Sequence, residues 1–162
     1  MIRLILLAAI CQQSPLVEAA DAYPGVRFQE GQRDDSLVRL AQEAADTMAR
    51  RGNRGYWRDG HPGWDGRFRR LNGMGLRGVE VTAYSWPDTS PEPTPKILKE
   101  LFYDWQRSAG HWRVVSTRHE RYGDGLAKST SGTWYAAVIV ADTRQVFRPI
   151  QRLQRLMQPR KR

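Results

Sequence analysis

From Leu37 onward an apolar residue returns every three or four positions: Leu37, Leu40, Ala41, Ala44, Ala45 and Met48. That is the period of one helix face. Asp34-Asp35-Ser36 offers an N-cap with acidic groups at the positive helix end. Arg50-Arg51-Gly52 suits a C-terminus. A second stripe, Ile97, Leu98, Leu101, Phe102 and Trp105, follows a Thr94 cap with Pro95 at the first helical position, and Gly110 is expected to close it. Between and after these helices the period shortens. Residues 79–84 and 112–116 read as strands. Residues 121–129 and 133–141 read as a hairpin around Ser131-Gly132. Val138-Ile139-Val140 is an unbroken apolar run, as in a strand covered on both faces. Residues 67–71 suggest a short helical turn.

The connections read as loops. Residues 21–31 look like an irregular N-terminal arm, and residues 53–66 form a loop rich in glycine and aromatic side chains. Residues 87–95 carry four prolines and read as a surface loop. The tail places Ile150, Leu153, Leu156 and Met157 on one helical face. The order predicts an α+β fold in which helices cover both faces of a small sheet. A chain of 162 residues fits a single such domain.

The N-terminus has a different character. Met1-Ile2-Arg3 is positively charged, residues 4–11 are apolar but too short to span a bilayer, and Val17-Glu18-Ala19 supplies small residues for a peptidase. The reading is a signal peptide over residues 1–20, cut after Ala19 or Ala20, and an exported protein; the alternative is a buried N-terminal helix. A lipoprotein cut needs a small residue before Cys11, where Ile10 stands. Cys11 is the sole cysteine, so the chain beyond that leader would have no disulfide, thiolate nucleophile or cysteine metal ligand.

The formal net charge is +9. Arginines gather at Arg67, Arg69 and Arg70 and in the tail, at Arg148, Arg152, Arg155 and Arg160 before Lys161 and Arg162. The plain reading is a solvated basic surface. The sharper one is contact with an anionic surface through tail residues 143–162, of the kind that weakens steeply with salt. Nothing resembling a helix-turn-helix, zinc finger or RNA-recognition motif argues for nucleic acid.

Several segments together resemble the CAP superfamily, the SCP-like domains of the cysteine-rich secretory, antigen 5 and pathogenesis-related-1 proteins, in their cysteine-poor bacterial branch. The first helix carries Met48-Ala49-Arg50 near its end, and His61 follows in the next loop. Gly78-Val79-Glu80 is a loose form of the family's Gly-Glu-Asn, with Val81 where the asparagine belongs. Trp105-Gln106-Arg107-Ser108-Ala109-Gly110-His111 matches its Trp-x-x-Ser-x-Gly-His. A Gly-x-Gly strand at Gly123-Asp124-Gly125 and a Thr133-Trp134-Tyr135 strand close the pattern. The resemblance spans residues 36–142. It implies an α-β-α sandwich with a small, mainly antiparallel sheet between helices, and a cleft holding His61, Glu80 and His111. Ser108 stands where many eukaryotic members place a second glutamate.

Two imidazoles and a carboxylate suit zinc or another divalent cation with a position left open, or a proton-transfer site. Each residue also has a plainer reading: His61 exposed in its loop, Glu80 facing water by strand alternation, and His111 and Ser108 serving a helix end. His119 reads as a solvated turn residue. Trp57, Trp64 and Trp86 sit in loops, where bulky rings can line a groove. The expectation is an exported protein that binds a small molecule, lipid, peptide, envelope polymer or metal in a His/Glu cleft without catalysis. Alternatives are a metal-dependent or acid–base hydrolase, for which no Ser-His-Asp spacing is evident, and a polyanion binder acting through the tail.

Overall fold

The computed structural model describes residues 14–52 and 61–143; the apolar leader segment, Trp57 and the basic tail from residue 144 lie outside them. The helix expected from the first stripe is α2, Asp35–Arg51. Asp34 caps it by accepting from the Ser36 and Leu37 amides, and Gly52 ends it at φ +66°. Helix α3 spans Trp64–Gly73, longer than the single turn expected. Helix α4, Pro95–Arg107, starts at the Thr94 cap.

Residues 109–115 depart from expectation. They form helix α5, Ala109–Val115, not a strand. Five residues of alternation are too few to separate the two periods. The deciding group is Ser108, which ends α4 and whose hydroxyl accepts from the His111 amide at 3.5 Å. Gly110, expected as the stop, lies inside this new helix.

The sheet has four strands: β1 (Gln32–Arg33), β2 (Leu76–Tyr84), β3 (Arg121–Lys128) and β4 (Trp134–Thr143). Their order is β1-β3-β4-β2. The β2–β4 and β3–β4 pairs are antiparallel, and β1 adds a short parallel pairing to β3. Alternation along β4 sorts the layers. Tyr135, Ala137, Ile139 and Ala141 pack with Leu37, Ala41, Ala44 and Leu71 under α2 and α3. Ala136, Val138 and Val140 pack with Leu101, Phe102 and Trp105 on the opposite face. This is the expected sandwich: helices, a small mainly antiparallel sheet, helices.

Helix α2 lies directly on β3, and Gly123 and Gly125 make that possible. A Cβ on Gly123 would stand 2.1 Å from the Leu37 carbonyl carbon, and one on Gly125 would stand 2.5 Å from the Gln42 amide nitrogen. These neighbours are backbone and cannot rotate aside. Gly123→Ala should therefore cost about 3 kcal/mol, the upper end of ordinary overpacking, read as a lower urea midpoint with an unchanged slope. From the same helix the Gln42 amide donates to the Leu126 carbonyl (2.8 Å) and accepts from the Leu126 amide (3.3 Å).

Residues read as the end of the leader and the start of the arm are helical. Pro15–Ala22 is a helix, α1, with Ser14 accepting from the Leu16 amide. Leu16, Val17 and Ala20 are buried, and so are Val26 and Phe28 in the connection to β1. They join the α4 side of the core. The positions expected for a cut, after Ala19 or Ala20, lie inside this packed helix. Among the described residues no helix is long and apolar enough to cross a membrane.

Candidate functional site

Strand β2 ends the sheet, and His61, Glu80 and His111 gather near it. Glu80 sits in β2 opposite Ile139, on the side covered by α3, and is 5% exposed. Burying a carboxylate requires compensation. It comes from Arg67, one turn before Leu71 on the buried side of α3 and itself 1% exposed. Arg67 Nε donates to Glu80 Oε2 at 2.6 Å and Nη2 donates to Oε1 at 2.7 Å. Its Nη1 donates to the Pro62 carbonyl at 3.0 Å, tying the 61–63 turn to the helix. This forked geometry is the strongest form of charge-assisted pairing. Arg67 therefore belongs to the interior and not to the basic surface where its neighbours in sequence placed it.

His61 stands at the mouth of this pair, its Nδ1 3.0 Å from Glu80 Oε1 and its side chain 26% exposed. Across from it, His111 projects from the first turn of α5. The two ring centroids are 6.1 Å apart, with planes at 78°. Burial, and then the neighbouring His61, push the His111 imidazole below its usual range, while Asp104 on α4 pulls the other way. Asp104 is raised by burial, against the opposing pull of a backbone hydrogen bond from Tyr84 and the charges of Arg107 and His111.

The structure thus brings His61, Glu80 and His111 to one place, as the resemblance implied. It does not arrange them as three ligands. Arg67 occupies both oxygens of Glu80, and among the described residues no three His, Cys, Asp or Glu side chains form a group able to hold a metal ion. The expected zinc trio does not fit, and two imidazoles remain as its donors. Ser108 serves as the hinge cap between α4 and α5.

Other expectations resolve locally. His119 is not solvated: its side chain is 15% exposed, with Nδ1 3.2 Å from Asp142 and Nε2 3.3 Å from the Val114 carbonyl. Trp64 opens α3 and packs at 5.6 Å on Phe68, whereas Trp86 is 77% exposed. Trp105, Trp134 and Tyr135 are core residues. Sequence reasoning missed Arg67 and Asp104. For Arg67 the available signals were its one-turn spacing from Leu71 and a glutamate between two valines in need of a cation.

No family model matches the chain, and no curated protein matches it. Among solved structures it is similar to an outer surface protein from Borrelia burgdorferi, with a TM-score of 0.52 and 15% identity over 80% of this chain and 90% of that one. At that identity the likeness is one of fold: helices around a small mixed sheet.

Proposed function

We propose that the chain is an exported domain of the CAP, or SCP-like, kind that binds a ligand in the cleft between His61 and His111 without catalysing a reaction. The observation carrying this reading is the imidazole pair, 6.1 Å between centroids, with one ring anchored on a buried Arg67–Glu80 fork. A buried ion pair contributes little net stability against an apolar replacement. Its presence under a half-open histidine supports a role in holding that ring. The motif order around Trp105 to His111 supports the family assignment. Export is supported by the apolar segment 4–11, as a leader confined to residues before Ser14, and by the structural neighbour being an outer surface protein. The ligand classes open to the cleft are a small molecule, lipid, peptide or envelope polymer.

A proton-transfer reading has one observation in its favour. A carboxyl raised by burial, Asp104, acts on an imidazole lowered by burial, His111, and such opposed shifts mark acid–base pairs. It lacks an assigned nucleophile. The arginine-rich tail, on which a polyanion-binding role would rest, lies outside the described residues.

Zinc serves as a probe of whether the two rings converge on open space. Calorimetric titration of the chain from Ser14 is expected to show one zinc per molecule, held loosely by two imidazoles and solvent, and no binding by the His61→Ala/His111→Ala variant. A folded wild type that binds no zinc would overturn the shared-cleft reading.

A further inference from the structure

A groove of about 640 Å³ runs between α1 and α4, and none of the histidines lines it. Its two walls are built alike. On α1 they are Pro15, Glu18, Ala19 and Ala22. On α4 they are Pro95, Leu98, Lys99 and Phe102. Both sets follow the i, i+3, i+4, i+7 spacing of one helix face, so the groove tracks each helix for about two turns. The helices run parallel. Pro15 and Pro93 stand together at one end, where both also line a smaller cavity beside Trp134. At the other end the Tyr23 ring lies 5.0 Å from that of Phe102, and the Tyr23 hydroxyl donates to Gln106.

Two helices that face each other across apolar stripes can seat a third segment. Ser14, at which the described residues begin, caps α1 beside Pro15. Residues 1–13 therefore enter the fold at the Pro15 end of the groove. They contain the apolar run 4–11, which only Gln12 and Gln13 separate from Ser14. An eight-residue helix is about 12 Å long, the same length as the α1 wall from Pro15 to Ala22. A link through Gln12, Gln13 and Ser14 falls within the roughly two to five residues that join antiparallel helices. The rim carries one acid and one base, Glu18 and Lys99, which suits an occupant without charge. The run 4–11 has none, whereas the apolar stripe of the tail is interleaved with Arg152 and Arg155. We propose that residues 4–11 fold back as a helix antiparallel to α1 and occupy the groove between α1 and α4. The leader thus covers an apolar face of its own chain while it is attached, and the removal that export implies would open that face. The groove shares no residue with the His61–His111 site.

The experiment is disulfide trapping in the full-length chain, where Cys11 is the sole cysteine. In a Cys11→Ser background, Leu4→Cys places one thiol at the far end of the apolar run. The second is placed on the groove wall, at the Tyr23 end by Ala22→Cys or at the Pro15 end by Pro95→Cys; both positions are exposed. Leu4 lies ten residues before Ser14, a reach of about 35 Å when extended. An unseated segment would visit both ends and favour the one nearer its anchor. A seated antiparallel segment brings position 4 to the Tyr23 end. Under mild oxidation the intramolecular disulfide with Ala22→Cys should form about tenfold faster than that with Pro95→Cys, the ratio of the two effective concentrations. Equal rates, or a preference for Pro95→Cys, would overturn the proposal. So would a disulfide formed mainly between molecules, which would give the groove to a second copy.

Should a cysteine variant fail to fold, NMR of the Ala19 and Leu98 methyl groups gives the answer without one, since both side chains line the groove. In the full-length chain Leu7→Asp sets a charge in the apolar run, and an unpaired charge resists burial. The Ala19 and Leu98 signals should then move, while that of Ala44, in the core under α2, stays in place. Unmoved Ala19 and Leu98 signals would remove the leader from the groove. The zinc titration concerns other residues, so the two readings fail separately.

Discussion

A chain that begins at Asp21 should be less stable than one that begins at Ser14 by about 4 kcal/mol or more. The difference between the two is most of α1, and α1 is part of the core. Leu16 is 0% exposed, and Val17 and Ala20 are each 1% exposed, on the same side of the sheet as Phe28, Leu101 and Phe102. An eight-residue helix is not stable alone in water. Its order therefore derives from this packing, and removing it uncovers apolar partners on α4. Trimming one such leucine to alanine typically costs about 2–5 kcal/mol; Leu16→Ala in the longer chain calibrates the first part of the loss, and the truncation adds Val17 and the exposed partners. Urea unfolding of the three proteins measures both. Equal midpoints for the two chain starts would remove α1 from the folded unit and favour a processing site after Ala19 or Ala20.

Arg67→Met should cost about 3–5 kcal/mol, the usual penalty for removing one partner of a buried ion pair. The loss would come less from the missing bonds than from Glu80, left as a carboxylate at 5% exposure with only His61 near its Oε1. Removing both charges tells the two contributions apart. Arg67→Met/Glu80→Gln should lie within about 1–2 kcal/mol of wild type, because a neutral pair of similar volume avoids the desolvation cost. The readout is chemical denaturation of the two single variants and the double variant. If the single and double variants were equally destabilised, Arg67 would act through packing and not through charge.

The readable parts of this fold are those where independent signals agree. For α2, the apolar stripe, the Asp34 cap and the Gly52 stop all point to one helix, and for α4 the Thr94 cap, Pro95 and five buried apolar residues do the same. The β3–β4 hairpin was legible from its glycine turn and the unbroken run at Val138-Ile139-Val140, which both helical layers cover. Helix α5 was not, because Ser108 ends one helix and starts the next, leaving no loop between them to mark the break. Residues 21–31 read as irregular because Val26 and Phe28 are single anchors without a period, yet each is buried.

The site was legible only in part, and through resemblance. His61 and His111 belong to different layers, and nothing in their spacing draws them to a 6.1 Å separation. Glu80 announced a need for a partner by sitting among valines, and an imidazole was expected to meet it. Arg67 met it more fully. An arginine that precedes two others, Arg69 and Arg70, reads as surface, since arginine is rarely buried without a carboxylate, and the carboxylate here lies on another element.

Gln42 bears on how copies of this protein meet one another. Beyond Tyr122, β3 has no strand partner on its outer side among the described residues, and such an edge is a template on which another chain can add itself. The side-chain amide of Gln42 occupies the donor and acceptor of Leu126. A newcomer would have to displace the glutamine from Leu126. At Leu126 the backbone groups that a newcomer would need are thus already taken from within the chain, by the uncharged side chain of Gln42.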